Sequence, residues 1–82
     1  MESRQMTLGE KLVGLTFNPS GDPKVQKAKE LCAELADLLH DYWYEQDAYI
    51  DGAHLRNQLY DHAMGEILNA QMNVVKVLTF KY

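Results

Sequence analysis

Residues 22–47 read DPKVQKAKELCAELADLLHDYWYEQD, and this stretch decides the fold. Asp22 has the side chain of an N-cap, and Pro23 stands at the first helical position, where its missing N–H costs nothing. From Pro23 to about Asp47 no glycine or proline interrupts the chain. Val25, Ala28, Cys32, Leu35, Leu39 and Tyr42 recur every three or four residues, and Leu31, Leu38 and Trp43 widen the stripe. This is the period of a helix with one broad apolar face, about 37 Å long at 1.5 Å per residue.

Downstream, residues 47–52 are the connection to a second periodic run, predicted from about Ala53 to Leu78. Its apolar face is Leu59, Ala63, Ile67, Ala70, Val74 and Val77, flanked by Tyr60, Met64, Leu68, Val75 and Leu78. Upstream, Thr7 and Glu10 have capping-box spacing, and Gly14 is a stop signal, so the pattern predicts a short helix over Leu8–Val13. Leu15 to Gly21 is expected to run extended and then turn at Asn18-Pro19-Ser20-Gly21. The expected fold is therefore all-α: a short N-terminal helix followed by a long antiparallel helical hairpin. Residues 1–6 are expected to fray, and residues 7–82 to form one domain.

A chain of 82 residues has room for one domain only. Its 46% hydrophobic and 24% charged residues are ordinary for a globular protein and exclude a disordered acidic tail. Two helices cannot bury apolar stripes this wide against each other alone, so a homo-oligomer is expected. No run of apolar residues reaches the length of a membrane span, so no membrane partner is expected. The single cysteine, Cys32, and the lack of a signal-peptide pattern point to a reducing cytoplasm.

The formal charge of −4 argues against an autonomous DNA-binding module. That charge is unevenly spread. Residues 1–29 hold five cations and three carboxylates, residues 30–75 one cation and nine carboxylates, and the last seven residues Lys76 and Lys81. In a hairpin, Lys24, Lys27 and Lys29 would share one pole with Lys76 and Lys81, beside Phe17 and the N-terminus of the long helix. Two readings of this pole remain open. The lysines can be a solvated surface, those late in the second helix complementing its dipole. Alternatively they form an anion site, with lysine on phosphate, a base stacked on Phe17, and Asn18, Ser20 and Thr79 reading base edges.

Nothing in the chain has the spacing of a catalytic centre. His40, His54 and His62 form no His-Glu-x-x-His, and no second cysteine pairs with Cys32, so no metal site is expected. Cys32 falls on a core position and reads as a small buried apolar residue. Tyr42, Trp43, Tyr44 and Tyr49 cluster near the connection, as a core lid or interface or as an aromatic platform. Gly9, Gly14 and Gly21 do not space as a phosphate loop. No cofactor and no enzymatic activity are expected.

Three stretches carry a family resemblance: Leu8-Gly9-Glu10-Lys11 through Phe17-Asn18-Pro19-Ser20-Gly21-Asp22, then Val25-Gln26-Lys27-Ala28-Lys29, and finally Ala70-Gln71-Met72-Asn73-Val74-Val75-Lys76 with Leu78-Thr79-Phe80. Together they resemble the phage anti-CBASS sponge proteins of the Acb/Tad hairpin-domain family, over about residues 8–80. The resemblance implies small helical homo-oligomers, hexamers, that sequester cyclic dinucleotide and trinucleotide messengers in the cytoplasm of the infected bacterial host without cleaving them. It implies ligand contacts at Phe17, Lys29 and Lys76. Asn73 stands where the family pattern has Trp, and the Tyr-rich stretch 42–50 has no counterpart in it. The residues expected at a ligand site are thus Phe17, Asn18, Ser20, Lys27, Lys29, Lys76 and Thr79. The competing expectation is a structural or adaptor oligomer that binds protein through its helical faces.

Overall fold

The computed structural model describes residues 5–45 and 52–80, and it contains three α-helices: α1 (Leu8–Val13), α2 (Pro23–Tyr44) and α3 (Ala53–Leu78). The all-α expectation holds, with no strand among the described residues. The predicted bounds of α1 and α3 agree with those observed. Residues 1–4 of the stretch 1–6 expected to fray, and residues 47–51 of the expected connection 47–52, lie outside the described residues.

Local chemistry explains each helix start. In α1 the capping box is complete: Glu10 N–H donates to Thr7 Oγ1 (3.1 Å) and Thr7 N–H donates to Glu10 Oε1 (2.9 Å). At α2, Lys24 N–H donates to Asp22 Oδ1 at 2.8 Å, and Pro23 takes the first helical position. α2 ends at Tyr44, three residues before the sequence-based bound. Its last turn has no basic residue, and Glu45 at the cap opposes the negative end of the helix dipole, so continuation is not favoured.

α1 stops in a Schellman arrangement. Gly14 is left-handed (φ 62°), Leu15 N–H reaches Glu10 O at 3.0 Å, and Gly14 N–H reaches Lys11 O at 3.3 Å. Six residues cannot hold a helix on their own, so α1 persists by docking. It docks on α2 through Gly9, whose N–H donates to Asp37 Oδ1 at 2.7 Å. A carboxylate here also meets the positive end of the α1 dipole. The approach is so close that a Cβ on Gly9 would lie 2.1 Å from the Ala33 carbonyl oxygen.

The core is made of small residues: Val13, Val25, Ala33, Ala36 and Met64 are the buried apolar side chains. This corrects the register read from the apolar pattern. On α2 the inward face runs through Val25, Lys29, Ala33 and Ala36, whereas Leu31, Leu35, Leu38 and Tyr42 are exposed. At 100° per residue those four lie on a stripe about 150° around the helix from the inward face. On α3, Leu59 and Val77 are exposed, and Ala70 and Val74 with them. The inward face passes instead through Tyr60, Met64, Leu68, Gln71 and Val75. Cys32 is half-buried, and burial pushes its thiol pKa up, in keeping with an inert small side chain.

The end of α2 meets the start of α3 through aromatic rings. Trp43 stacks on Tyr60 with centroids 4.6 Å apart, and the Arg56 guanidinium lies 4.7 Å from the Trp43 ring. His40 Nδ1 and the Tyr60 hydroxyl share a hydrogen bond of 2.9 Å. Burial, and secondarily Tyr44 and Asp61, push the Tyr60 phenol pKa up, so it stays a neutral partner for His40. Trp43 therefore acts as a core lid; Tyr49 lies outside the described residues.

The single chain leaves much uncovered. Its accessible surface is 6535 Å², against about 5000 Å² for a folded monomer of 9.4 kDa. Its radius of gyration is 15.1 Å, against about 12 Å for a compact domain of this length.

Two glycine substitutions separate close packing from helix propensity. Gly9→Ala is expected to lower the urea-unfolding free energy by about 3 kcal/mol, because the Ala33 backbone must move. Gly65→Ala, in the middle of α3 with nothing within 4 Å of the new methyl, is expected to raise it by about 0.5–1 kcal/mol.

Candidate functional site

The segment between α1 and α2 folds over the start of α2 through one buried cation. Lys29 is only 6% exposed. Its Nζ donates to the Gly14 carbonyl at 3.1 Å and to the Phe17 carbonyl, and it sits 5.5 Å from the centre of the Phe17 ring. A buried ammonium without such partners would cost several kcal/mol, so the two carbonyls and the ring are what permit it there. The backbone of Phe17 is held down as a result, while its side chain is 70% exposed. The turn that follows is self-satisfied. Ser20 Oγ donates to Asn18 Oδ1 (2.7 Å), Asn18 Nδ2 donates to Asp22 O (3.2 Å), and Asp22 N–H donates to Ser20 Oγ (3.2 Å).

This segment, the end of α1, the first turns of α2 and the last turns of α3 line an open cavity of about 720 Å³, within the range of small-molecule sites. Phe17, Asn18, Ser20, Lys29, Lys76 and Thr79 all line it. Six of the seven residues expected from sequence are therefore brought together. The seventh, Lys27, is exposed on α2 and does not line the cavity. Lys81 lies outside the described residues.

The structure also changes what several of these residues have to offer. Lys29 was expected as an open cation for phosphate, but its ammonium is bound to backbone carbonyls. Asn18 and Ser20 bond each other, and Thr79 Oγ1 donates to Val75 O at 2.8 Å. Lys76 remains exposed at the rim, as does Lys11.

Two polar lining residues, Lys11 and Gln71, were not among the expected site residues. Lys11 entered the sequence reading as one of the cations of residues 1–29 and within the resemblance, not as a site residue. Gln71 is 4% exposed on the inward face of α3, between Leu68 and Val75. The available signal was register: Gln71 interrupts an apolar stripe at 64, 68 and 75, as Lys29 interrupts Val25, Ala33 and Ala36.

The electrostatics of the cavity invert those of the chain. Lys11, Lys29 and Lys76 line it, and among the described residues no carboxylate does, although the net charge is −4. A second hollow, about 260 Å³, carries the opposite sign: Glu10, Glu30, Glu34 and Asp37 line it, without a cation. Among the described residues no three His, Cys, Asp or Glu side chains gather as metal ligands, and no helix is long and apolar enough to cross a membrane.

No protein-family profile, curated protein or solved structure matches the chain.

Replacing Lys29 by Met is expected to cost about 2–3 kcal/mol of folding stability, the size of a lost charge-assisted hydrogen-bond pair in a buried setting. Phe17→Ala, which removes the ring beside Lys29 but neither carbonyl, is expected to cost less, about 0.5–1 kcal/mol. Urea melts followed by circular dichroism measure both. At pH 8, Cys32 is expected to react with iodoacetamide more slowly in the folded chain than in urea, because its raised pKa leaves less thiolate.

Proposed function

We propose that this protein binds and sequesters cyclic dinucleotides, and also cyclic trinucleotides, without cleaving them. The observation that carries the reading is a cavity in an acidic protein that three lysines and, among the described residues, no carboxylate line, with the exposed ring of Phe17 at its edge. A phosphodiester ligand needs cations for its phosphates and an aromatic face for its bases, and this cavity offers both. Lys76 and Lys11 supply mobile charge; Lys29 supports Phe17 and adds its fixed field. Among the described residues the cavity lining has neither histidine nor carboxylate to serve as an acid–base pair.

The resemblance of Phe17–Asp22, Val25–Lys29 and Ala70–Lys76 to the anti-CBASS sponges gives the biological setting: a phage protein acting in the cytoplasm of the infected bacterium. There it would keep immune effectors inactive by removing their messenger. In this reading α2 and α3 are the arms of an antiparallel hairpin, and copies of it assemble into a hexamer. The stripe Leu31, Leu35, Leu38 and Tyr42 supports assembly, as does an accessible surface about 1500 Å² above that of a typical monomer, comparable to a standard protein–protein interface. The same stripe also favours a second reading, an adaptor oligomer that binds other proteins and no nucleotide.

Light scattering at micromolar concentration is expected to give a multiple of the 9.4 kDa chain mass; a monomer would remove the assembly. A cyclic dinucleotide at 100 times its Kd is expected to stabilise the protein by about 2.7 kcal/mol, and heat or protease should then release it intact. No stabilisation by any cyclic nucleotide would favour the adaptor. Recovery of linear nucleotide would make the protein an enzyme.

A further inference from the structure

We propose that the outer face of α2 binds the same face of a second copy, with the two helices antiparallel. The inference rests on the self-association proposed above and names its contact. Ala28, Leu31, Leu35, Leu38 and Tyr42 follow one another at spacings of three, four, three and four. Lys24, four residues earlier, extends this line at one end, and Glu45, three residues later, extends it at the other. A 3.5-residue period is that of a seam between two paired helices. On the single chain the seam is uncovered: Leu31, Leu35, Leu38 and Tyr42 are each more than half exposed. The helix turns its opposite side to α1, at Ala33. A contact along this seam also fits the surface the single chain leaves open, about 1500 Å² more than a typical monomer of its mass.

Charge decides the direction. Lys24 and Lys27 are exposed at one end of the seam, and Asp41 and Glu45 at the other. Antiparallel copies centred on the leucines set the two lysines of each against the two carboxylates of the other. Parallel copies would set lysine on lysine and carboxylate on carboxylate, an unfavourable juxtaposition. Because the same patch is used by both copies, each attraction occurs twice. Glu34 is the charged residue nearest the centre, and it lies about 70° round the helix from the middle of the seam, at its rim. The pairing gives Lys27 a place as well: it does not line the cavity, yet it stands exposed beside the seam.

Sedimentation of the full chain without nucleotide tests the contact, so its result is read separately from ligand binding. The parent is expected to self-associate at micromolar concentration. Leu35→Glu, at an exposed site in the middle of the seam, is expected to raise the dissociation constant about tenfold or more while keeping the parent's helix content by circular dichroism. Two half-reversals, Lys24→Glu with Lys27→Glu and Asp41→Lys with Glu45→Lys, are each expected to weaken association about tenfold at low salt and less at high salt. Both suit the α2 dipole, with acids at its start or bases at its end, so the helix itself is not weakened. All four reversals together restore opposite charges across an antiparallel contact, and are expected to return association to within about threefold of the parent. Half-reversals that associate like the parent would mean that like ends already meet, and would overturn the pairing. A full reversal as weak as its halves would also overturn it. Leu35→Glu associating like the parent would place the contact elsewhere and overturn the proposal while leaving self-association intact. A monomeric parent would overturn both.

Discussion

The Lys29 ammonium, held by the Gly14 and Phe17 carbonyls, ties three parts of the chain to one point. Gly14 closes α1, Phe17 opens the turn before α2, and Lys29 lies one and a half turns into α2. Without that tie, the segment between the helices would have only the small Asn18–Ser20–Asp22 network to hold it. With it, one wall of the cavity is built from loop backbone, and an exposed aromatic ring is presented on an anchored main chain. The close contact of Gly9 with Ala33 acts in the same direction, because it sets where α1 ends and hence where Gly14 meets Lys29.

A chain with twelve carboxylates and eight cations has gathered its charges by sign rather than mixing them. Three lysines face one cavity and four carboxylates face the other hollow. Interspersed charges would lower the self-energy of such a small protein, so segregation is costly unless an anion occupies the basic side. The partition also divides labour among the lysines. Lys29 is committed to the fold, whereas Lys11 and Lys76 are exposed at the same cavity.

Both long helices have two apolar sides. The inner sides are lined by small residues or interrupted by polar ones, with Ala33 and Ala36 on α2 and Gln71 on α3. The larger side chains, Leu31, Leu35, Leu38 and Tyr42 on α2 and Leu55, Leu59 and Val77 on α3, are the exposed ones. Large apolar groups cover more area per residue than alanines. The single chain therefore leaves its largest apolar side chains uncovered.

What the sequence by itself determined was everything set by local chemistry. The Thr7–Glu10 box, the Gly14 stop, the Asp22–Pro23 start and the periodic runs after it require only neighbours within a few residues. They placed α1 and α3 at their observed bounds. The sign pattern was equally legible, and it brought Phe17, Asn18, Ser20, Lys29, Lys76 and Thr79 to one cavity with only Lys27 outside. Tertiary structure decided which of two apolar faces turns inward. Periodicity cannot rank two stripes on one helix, and here packing at Gly9 and Ala33 favoured the stripe of smaller side chains over the leucines. It also decided the state of each polar group. Lys29 became a buried tie and Gln71 an inward-facing residue of the cavity because burial and hydrogen bonding depend on what the rest of the chain brings near, which no spacing along the sequence encodes.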